Sequence, residues 1–247
     1  MPRRYRQQSL YVDGLVQGIG IPWHRMVGPG TSGTDVDGSA EAATIAPEPN
    51  VYGLPLRDTR SRSKTVITGR FASTTMGRQI DTEGVNETFF VPFLEIDTSI
   101  TAYLEQPVKI HFSFNGEQHC YTPDFLVCYR DGTLEIIEIK PSEQLNEEAI
   151  QFFNTVYAIL CQRNISFRAI LDKDIKDPIL FNNVSLLDYV KRAPMSQTAW
   201  KAYATAQDRN SQDELNALSW SDWLALVARG LIHVPIDVPL KRQEFQI

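Results

Sequence analysis

Apolar residues follow two periodicities along this chain. In residues 107–114, PVKIHFSF, they alternate with period two, so Val108, Ile110, Phe112 and Phe114 line one face of a strand. Asn115-Gly116 follows, a residue pair that two-residue hairpin turns prefer. A second strand is predicted over 117–129, EQHCYTPDFLVCY, and a third over 133–140, TLEIIEIK, which Pro141 ends. ISFRAIL at 165–171 reads as a fourth. Helical spacing governs the segments between. In 83–95, EGVNETFFVPFLE, apolar residues at 85, 89, 90, 93 and 94 fall near one stripe. Pro92 removes a hydrogen bond there and predicts a kink. In 143–162, Leu145, Ala149, Phe152, Phe153, Val156, Tyr157 and Leu160 form a second helical stripe. The predicted order is helix, three antiparallel strands, helix, strand.

Beyond about residue 178 the pattern becomes mainly helical. SLLDYVKR at 185–192 predicts a short helix capped by Ser185. Residues 196–206 and 211–218 predict two more, the latter with Ser211 as cap. Apolar positions 220, 223, 224, 227 and 228 form a further helical face, with Ser219 as cap and Gly230 as stop. LIHVPIDVPL at 231–240 reads as an edge strand pair, since Pro235 and Pro239 bar a central place in a sheet. Helices followed by a short β element predict a winged-helix-like module. At the other end, residues 27–50 are rich in Gly, Ser, Thr, Ala and Pro and lack periodicity, as a flexible linker or long loop does. The expected organisation is a flexible extension over 1–50, an α/β domain over 51–177 and a winged-helix-like domain over 178–247.

Composition changes this picture in one respect. The 247 residues carry 24 basic and 30 acidic side chains, net -6, which taken as a sum argues against a nucleic-acid protein. The charge is segregated, however. Residues 51–80 hold Arg57, Arg60, Arg62, Lys64, Arg70 and Arg78 against Asp58 alone, net +5. Residues 81–163 hold four basic and fourteen acidic residues, net -10. A basic run can grip phosphates. Carboxylates that converge need a metal or raised pKa values to coexist. The three cysteines, Cys120, Cys128 and Cys161, show no CxxC spacing and cannot make a disulfide framework, so a reducing cytoplasmic setting and a core role are expected. The four histidines show no ligand spacing. No apolar run approaches the roughly 20 residues of a membrane helix, and the basic start lacks the apolar stretch of a secretory signal.

Candidate chemistry concentrates in YTPDFLVCYRDGTLEIIEIK. Leu134, Ile136, Glu138 and Lys140 share one face of the third strand. If Asp124 lies opposite Glu138, two carboxylates and an ammonium meet at the sheet end. That set suits metal-assisted phosphodiester hydrolysis: the carboxylates hold Mg²⁺, and the lysine orients the nucleophile or stabilises developing charge. A two-residue Asp131-Gly132 turn would set Asp124 against Ile139, off that side. A three-residue loop of Arg130, Asp131 and Gly132 sets Asp124 against Glu138 and Thr122 against Lys140. Such loops favour a left-handed glycine at their third position, where Gly132 stands. The three-residue loop is therefore predicted.

Pro123-Asp124, followed after thirteen residues by Glu138-Ile139-Lys140, resembles the PD-(D/E)xK nuclease signature. EIDTS at 95–99, YLEQP at 103–107, YTPDFLV at 121–127 and EIKP at 138–141 narrow the likeness. In that order they resemble the TnsA endonuclease subunit of heteromeric, Tn7-like transposases, over roughly residues 57–175. LVARGLI at 226–232 weakly resembles the winged-helix domain of the same family. The resemblance implies a restriction-endonuclease-like α/β fold, a mixed sheet flanked by helices.

The resemblance also implies roles. Glu87, eight residues before Glu95, would be the helix carboxylate. Glu87, Asp124 and Glu138 would bind Mg²⁺, with Mn²⁺ as substitute and the Ile139 carbonyl as a further ligand. Lys140 would be the catalytic lysine. Relatives carry either glutamate or glutamine at the Glu138 position. On spacing alone, Glu83 and Glu87 lie one helical turn apart on one face and are not separated. Pro92 and the Asn86-Glu87-Thr88 setting depart from the family pattern. The implied partners are double-stranded DNA at transposon ends, a DDE-type transposase subunit (TnsB-like) and an AAA+ ATPase regulator (TnsC-like), with no membrane. The implied setting is a bacterial cytoplasm at the nucleoid, and the implied act is cutting the 5′ strands during transposition. Two other readings stand beside it: a restriction, repair or phage nuclease of the same superfamily, and a non-cleaving DNA-binding or assembly subunit.

Overall fold

Strand alternation and turn chemistry build three sheets. The computed structural model describes residues 44–46, 69–209 and 212–241. Its strands are β1 (Thr44–Ala46), β2 (Gly69–Ala72), β3 (Gln79–Thr82), β4 (Ile100–Glu105), β5 (Lys109–Phe114), β6 (Glu117–Tyr121), β7 (Phe125–Tyr129), β8 (Leu134–Lys140) and β9 (Ile165–Leu171). Its helices are α1 (Val85–Ile96), α2 (Glu147–Cys161), α3 (Asp172–Ile175), α4 (Pro178–Arg192), α5 (Gln197–Arg209), α6 (Asp213–Asn216) and α7 (Trp220–Val227). A four-stranded sheet runs β4-β7-β8-β9, a three-stranded sheet β1-β5-β6, and β2-β3 pair alone. β8 and β9 are parallel and the other ladders antiparallel, so the main sheet is mixed. This mixed α/β architecture fits a restriction-endonuclease-like fold.

The described residues fall into two compact units. One lies within His24–Phe89 and Ile100–Ile175, and the other within Phe90–Ser99 and Lys176–Ile247. In the first unit, Asn115 and Gly116 both take positive φ (52° and 80°) and close the β5–β6 hairpin as predicted. Ile110 and Phe112 on β5, Ile136 on β8, and Phe167 and Ala169 on β9 bury against Phe153, Val156, Ile159 and Leu160 of α2. Asn146 starts α2 by accepting the Ala149 N–H through its side chain. The Arg78 guanidinium makes two 2.6 Å bonds to the Glu105 carboxylate, which is 1% exposed, and Arg70 pairs with Asp81. Two members of the basic segment are thus engaged with acids. Arg57, Arg60, Arg62 and Lys64 lie outside the described residues, as do Ser211 and the 27–50 stretch apart from Thr44–Ala46, which is a strand and not linker.

In the second unit α4 and α5 run longer than predicted, whereas α6 covers only Asp213–Asn216 of the helix predicted over 211–218. α4 begins at Pro178, capped by Asp177, whose carboxylate accepts the Ile179 and Leu180 N–H groups. Ser185 is therefore mid-helix and not a cap. Proline at the first helical position has no N–H to satisfy, which favours the earlier start. Ser219 caps α7 by accepting the Asp222 N–H, and Gly230 (φ 67°) ends that turn, both as predicted. The predicted strand pair at 231–240 does not form: that stretch holds one isolated bridge residue, Pro235. Prolines at 235 and 239 deny the ladder its donors. Asn183 holds the stretch instead, donating from Nδ2 to the Ile236 and Val238 carbonyls. The cysteines are free and not core, Cys120 being exposed and Cys128 and Cys161 half-buried. Among the described residues no helix is long and apolar enough to cross a membrane.

α1 keeps its helical course through Pro92. Its first turn is fixed within the first unit by a tight contact. The Thr82 and Thr88 hydroxyls lie 2.6 Å apart, Thr88 also donates to the Gly84 carbonyl, and Gly69 lies against both threonines. A Cβ on Gly69 would fall 2.1 Å from Thr88 Oγ1 and 2.6 Å from Thr82 Oγ1. Gly69→Ala is therefore expected to destabilise the fold by about 1–3 kcal/mol, because both neighbours are short and pinned by their own bond. Chemical denaturation checks this, and a midpoint equal to wild type would contradict it.

Candidate active site

Three local devices carry the acidic side chains of the first unit. Glu87 sits in the first turn of α1, which begins only at Val85. Glu83 precedes the helix, so the two glutamates are not stacked on successive helical turns as the spacing suggested. The Glu83 N–H instead donates to Glu87 Oε2 at 3.0 Å, so the carboxylate reaches back to the backbone just before the helix.

Asp124 stands in a break and not in a strand. The predicted 117–129 strand divides into β6 and β7, which join different sheets across Thr122-Pro123-Asp124. Pro123 has no N–H to give a ladder, so pairing lapses there. The break is held from two sides. The Gln106 N–H donates to the Asp124 carbonyl at 2.8 Å, and Asp124 Oδ2 accepts the Ile139 N–H at 2.6 Å. Gln106 adopts φ 45°, the left-handed region that a non-glycine residue enters at a cost.

Glu138 and Lys140 come from β8. The pairs Phe125–Ile137, Leu126–Ile136, Val127–Glu135 and Cys128–Leu134 have the register of the three-residue loop. Gly132 has φ 82°, and its N–H donates to the Tyr129 carbonyl. Extending this register sets Asp124 beside Glu138, on the face that also carries Lys140. Lys140 Nζ lies 2.9 Å from Glu138 Oε1 and 5.5 Å from the centre of the Phe153 ring. The Tyr121 hydroxyl donates to Glu138 Oε2 at 2.6 Å.

Electrostatics tie the four groups together. Burial raises Glu87 to about 7, opposed by its bond from Glu83 and reinforced by the charges of Glu83 and Glu138. Asp124 is held well above the ordinary carboxylate range by burial, then by Glu138 and Glu87. Burial also raises Glu138, against the pull of Lys140 and Tyr121. For Lys140, burial acts to lower the value, but Glu138, Asp124 and Glu87 outweigh it and keep the ammonium protonated. The Lys140 ammonium is thus favoured by the carboxylates around it.

Among the described residues no three His, Cys, Asp or Glu side chains are already gathered as a metal cage. The donor set nonetheless fits a hard divalent cation. Buried Glu138 and half-buried Asp124 and Glu87 lie near one ammonium, and the carboxylates offer the oxygen donors that Mg²⁺ and Mn²⁺ prefer. Ile139 enters this site through its N–H, the contact the structure gives it.

A pH dependence follows. Glu87 is raised in the fold from near 4.5 to about 7, so the folded state holds its proton more firmly than the unfolded chain. Its contribution is full below about pH 4.5 and lost as pH rises through 7, a difference on the order of 3 kcal/mol. Without divalent cation, Glu87→Gln is expected to flatten the fall in melting temperature between pH 5 and 8. An unchanged slope would contradict this.

Two residues of the site escaped sequence reasoning. Tyr121 belongs to a motif already singled out, but in a continuous strand positions 121 and 124 face opposite ways. The break at Pro123 resets that alternation. Gln106 precedes Pro107, and no local signal marks its left-handed backbone.

Residues 97–172 match the TnsA-like endonuclease N-terminal family. Over this segment, which contains Asp124, Glu138 and Lys140, the chain is TnsA-like and of nuclease type; Glu87 lies before it. No curated protein matches the chain.

Proposed function

We propose that this chain is a cation-dependent DNA endonuclease subunit of a heteromeric transposase, cutting the 5′ strands at transposon ends. One observation supports the proposal: Asp124, bonded from the Ile139 N–H, and the Glu138–Lys140 pair lie together at the β7–β8 sheet end, within a segment similar to TnsA-like endonucleases. Asp124 and Glu138 would hold Mg²⁺ or Mn²⁺, with Glu87 and the Ile139 carbonyl completing the protein's share. A bound divalent cation supplies positive charge to the scissile phosphate and acidifies water. Lys140 orients the attacking group and meets charge that develops on the phosphate oxygens. Burial of Glu138, 4% exposed, keeps bulk water from weakening these contacts.

TnsA-like character implies a Tn7-type partnership on DNA. We assign the 3′-strand chemistry to a DDE-type, TnsB-like subunit and control to an AAA+, TnsC-like ATPase, in the cytoplasm at the nucleoid. Residues 178–247 would serve this assembly as a winged-helix-like module, a role supported by their helices alone. Each of the three carboxylates has a donor within the protein.

The test is strand-resolved cleavage of end-labelled transposon DNA by the reconstituted complex. The 5′ cut is expected to require both this chain and Mg²⁺, while the 3′ cut persists without the chain. A 5′ cut made in its absence would refute the proposal.

A further inference from the structure

We infer that Tyr121 is a positioning residue for the cation site, fixing the Glu138 carboxylate in the orientation from which it ligates. This rests on the cation reading of Asp124 and Glu138. The Tyr121 hydroxyl donates to Glu138 Oε2 at 2.6 Å, while Lys140 takes Oε1 at 2.9 Å. The carboxylate plane is thus set by two donors on two oxygens. Each oxygen has a second lone pair, so a hydrogen-bonded carboxylate still ligates a cation.

The hydroxyl is itself held in place. The Tyr121 ring meets Phe152 edge-on at 5.6 Å and Phe153 at 6.3 Å, and Phe153 in turn lies beneath Lys140. Tyr121 also ends β6, paired with Ile110, immediately before the break that carries Asp124. One four-residue segment, 121–124, therefore delivers both a carboxylate and the donor that orients its neighbour. Hydrogen-bond partners that orient ligating side chains are typically worth about 10–100-fold in metal affinity.

Tyr121→Phe removes the hydroxyl and keeps the ring. Mn²⁺ binding to the isolated full chain, followed by calorimetry or by the electron paramagnetic signal of free Mn²⁺, is expected to weaken about 10–100-fold. In the reconstituted complex, raising Mn²⁺ is expected to restore the Tyr121→Phe cleavage rate, a shift in metal requirement with the maximal rate kept. In a Glu138→Ala background Tyr121→Phe is expected to add nothing, and this coupling holds even where the single variant loses some stability. Wild-type affinity, tighter binding, or an additive effect in the Glu138→Ala background would overturn the positioning role. In those cases Mn²⁺ binding that is lost in Asp124→Ala would leave the cation reading intact. A wild-type chain that binds no Mn²⁺ would overturn both.

Discussion

Asp124→Ala is expected to abolish 5′-strand cleavage by the assembled transposase while the 3′ strand is still cut. Stabilisation of phosphate charge by a held cation is worth several kcal/mol, on the order of 10³-fold in rate. Asp124 contributes to that site in two ways, with its charge and with the bond from the Ile139 N–H to its Oδ2. Alanine removes both and leaves the Ile139 N–H without this acceptor, at about 1–3 kcal/mol. Asp124→Asn separates the two effects. Its amide oxygen can still accept from Ile139, so the fold should keep its stability while cleavage is lost equally. Cleavage rate and melting temperature, measured for both variants, decide the matter. Retained cleavage in Asp124→Asn would mean that the residue's role is structural.

Lys140→Ala is expected to slow cleavage about 10²–10³-fold while cation binding persists. The ammonium is held by Glu138 at 2.9 Å and by the face of Phe153, and its side chain remains 31% exposed, within reach of a substrate. Removing it leaves the buried Glu138 carboxylate without its ion-pair partner. Such losses cost 3–5 kcal/mol in fully buried pairs and less here, where the lysine is partly solvated. The cation then becomes the remaining source of positive charge. The gain in melting temperature on adding Mn²⁺ should therefore be larger in Lys140→Ala than in wild type. A variant that cleaves normally, or one that no longer binds Mn²⁺, would contradict the assigned role.

The legible parts of this site were those fixed by short-range chemistry. Gly132 at the third loop position determined the β7–β8 register, and with it the side of the sheet on which Asp124, Glu138 and Lys140 meet. Asn115-Gly116 and the alternation of Val108, Ile110, Phe112 and Phe114 marked β5 and β6 equally well. The illegible parts depend on partners far along the chain. β4 carries no clean alternation, and its last residue, Glu105, a type usually found at the surface, is buried and bonded to Arg78, 27 positions away. Glu83 and Glu87 were inseparable because helical spacing assumed a helix through both, whereas α1 starts between them. Alternation on either side of Pro123 makes 117–129 look like one strand, and only the two sheets it serves reveal the break. Pro235 and Pro239 point to an edge strand pair at 231–240, but prolines that exclude a central strand can also exclude an edge one.

Glu87, Asp124 and Glu138, supplied by a helix start, a strand break and a strand end, are proposed to hold one catalytic cation beside Lys140. Anomalous X-ray scattering from crystals soaked in Mn²⁺ tests this most directly. A Mn²⁺ peak is expected within ligating distance of the Asp124 and Glu138 carboxylates, and no such peak in Asp124→Ala. A peak elsewhere on the chain with these three carboxylates bare, or an unchanged peak in the variant, would contradict it.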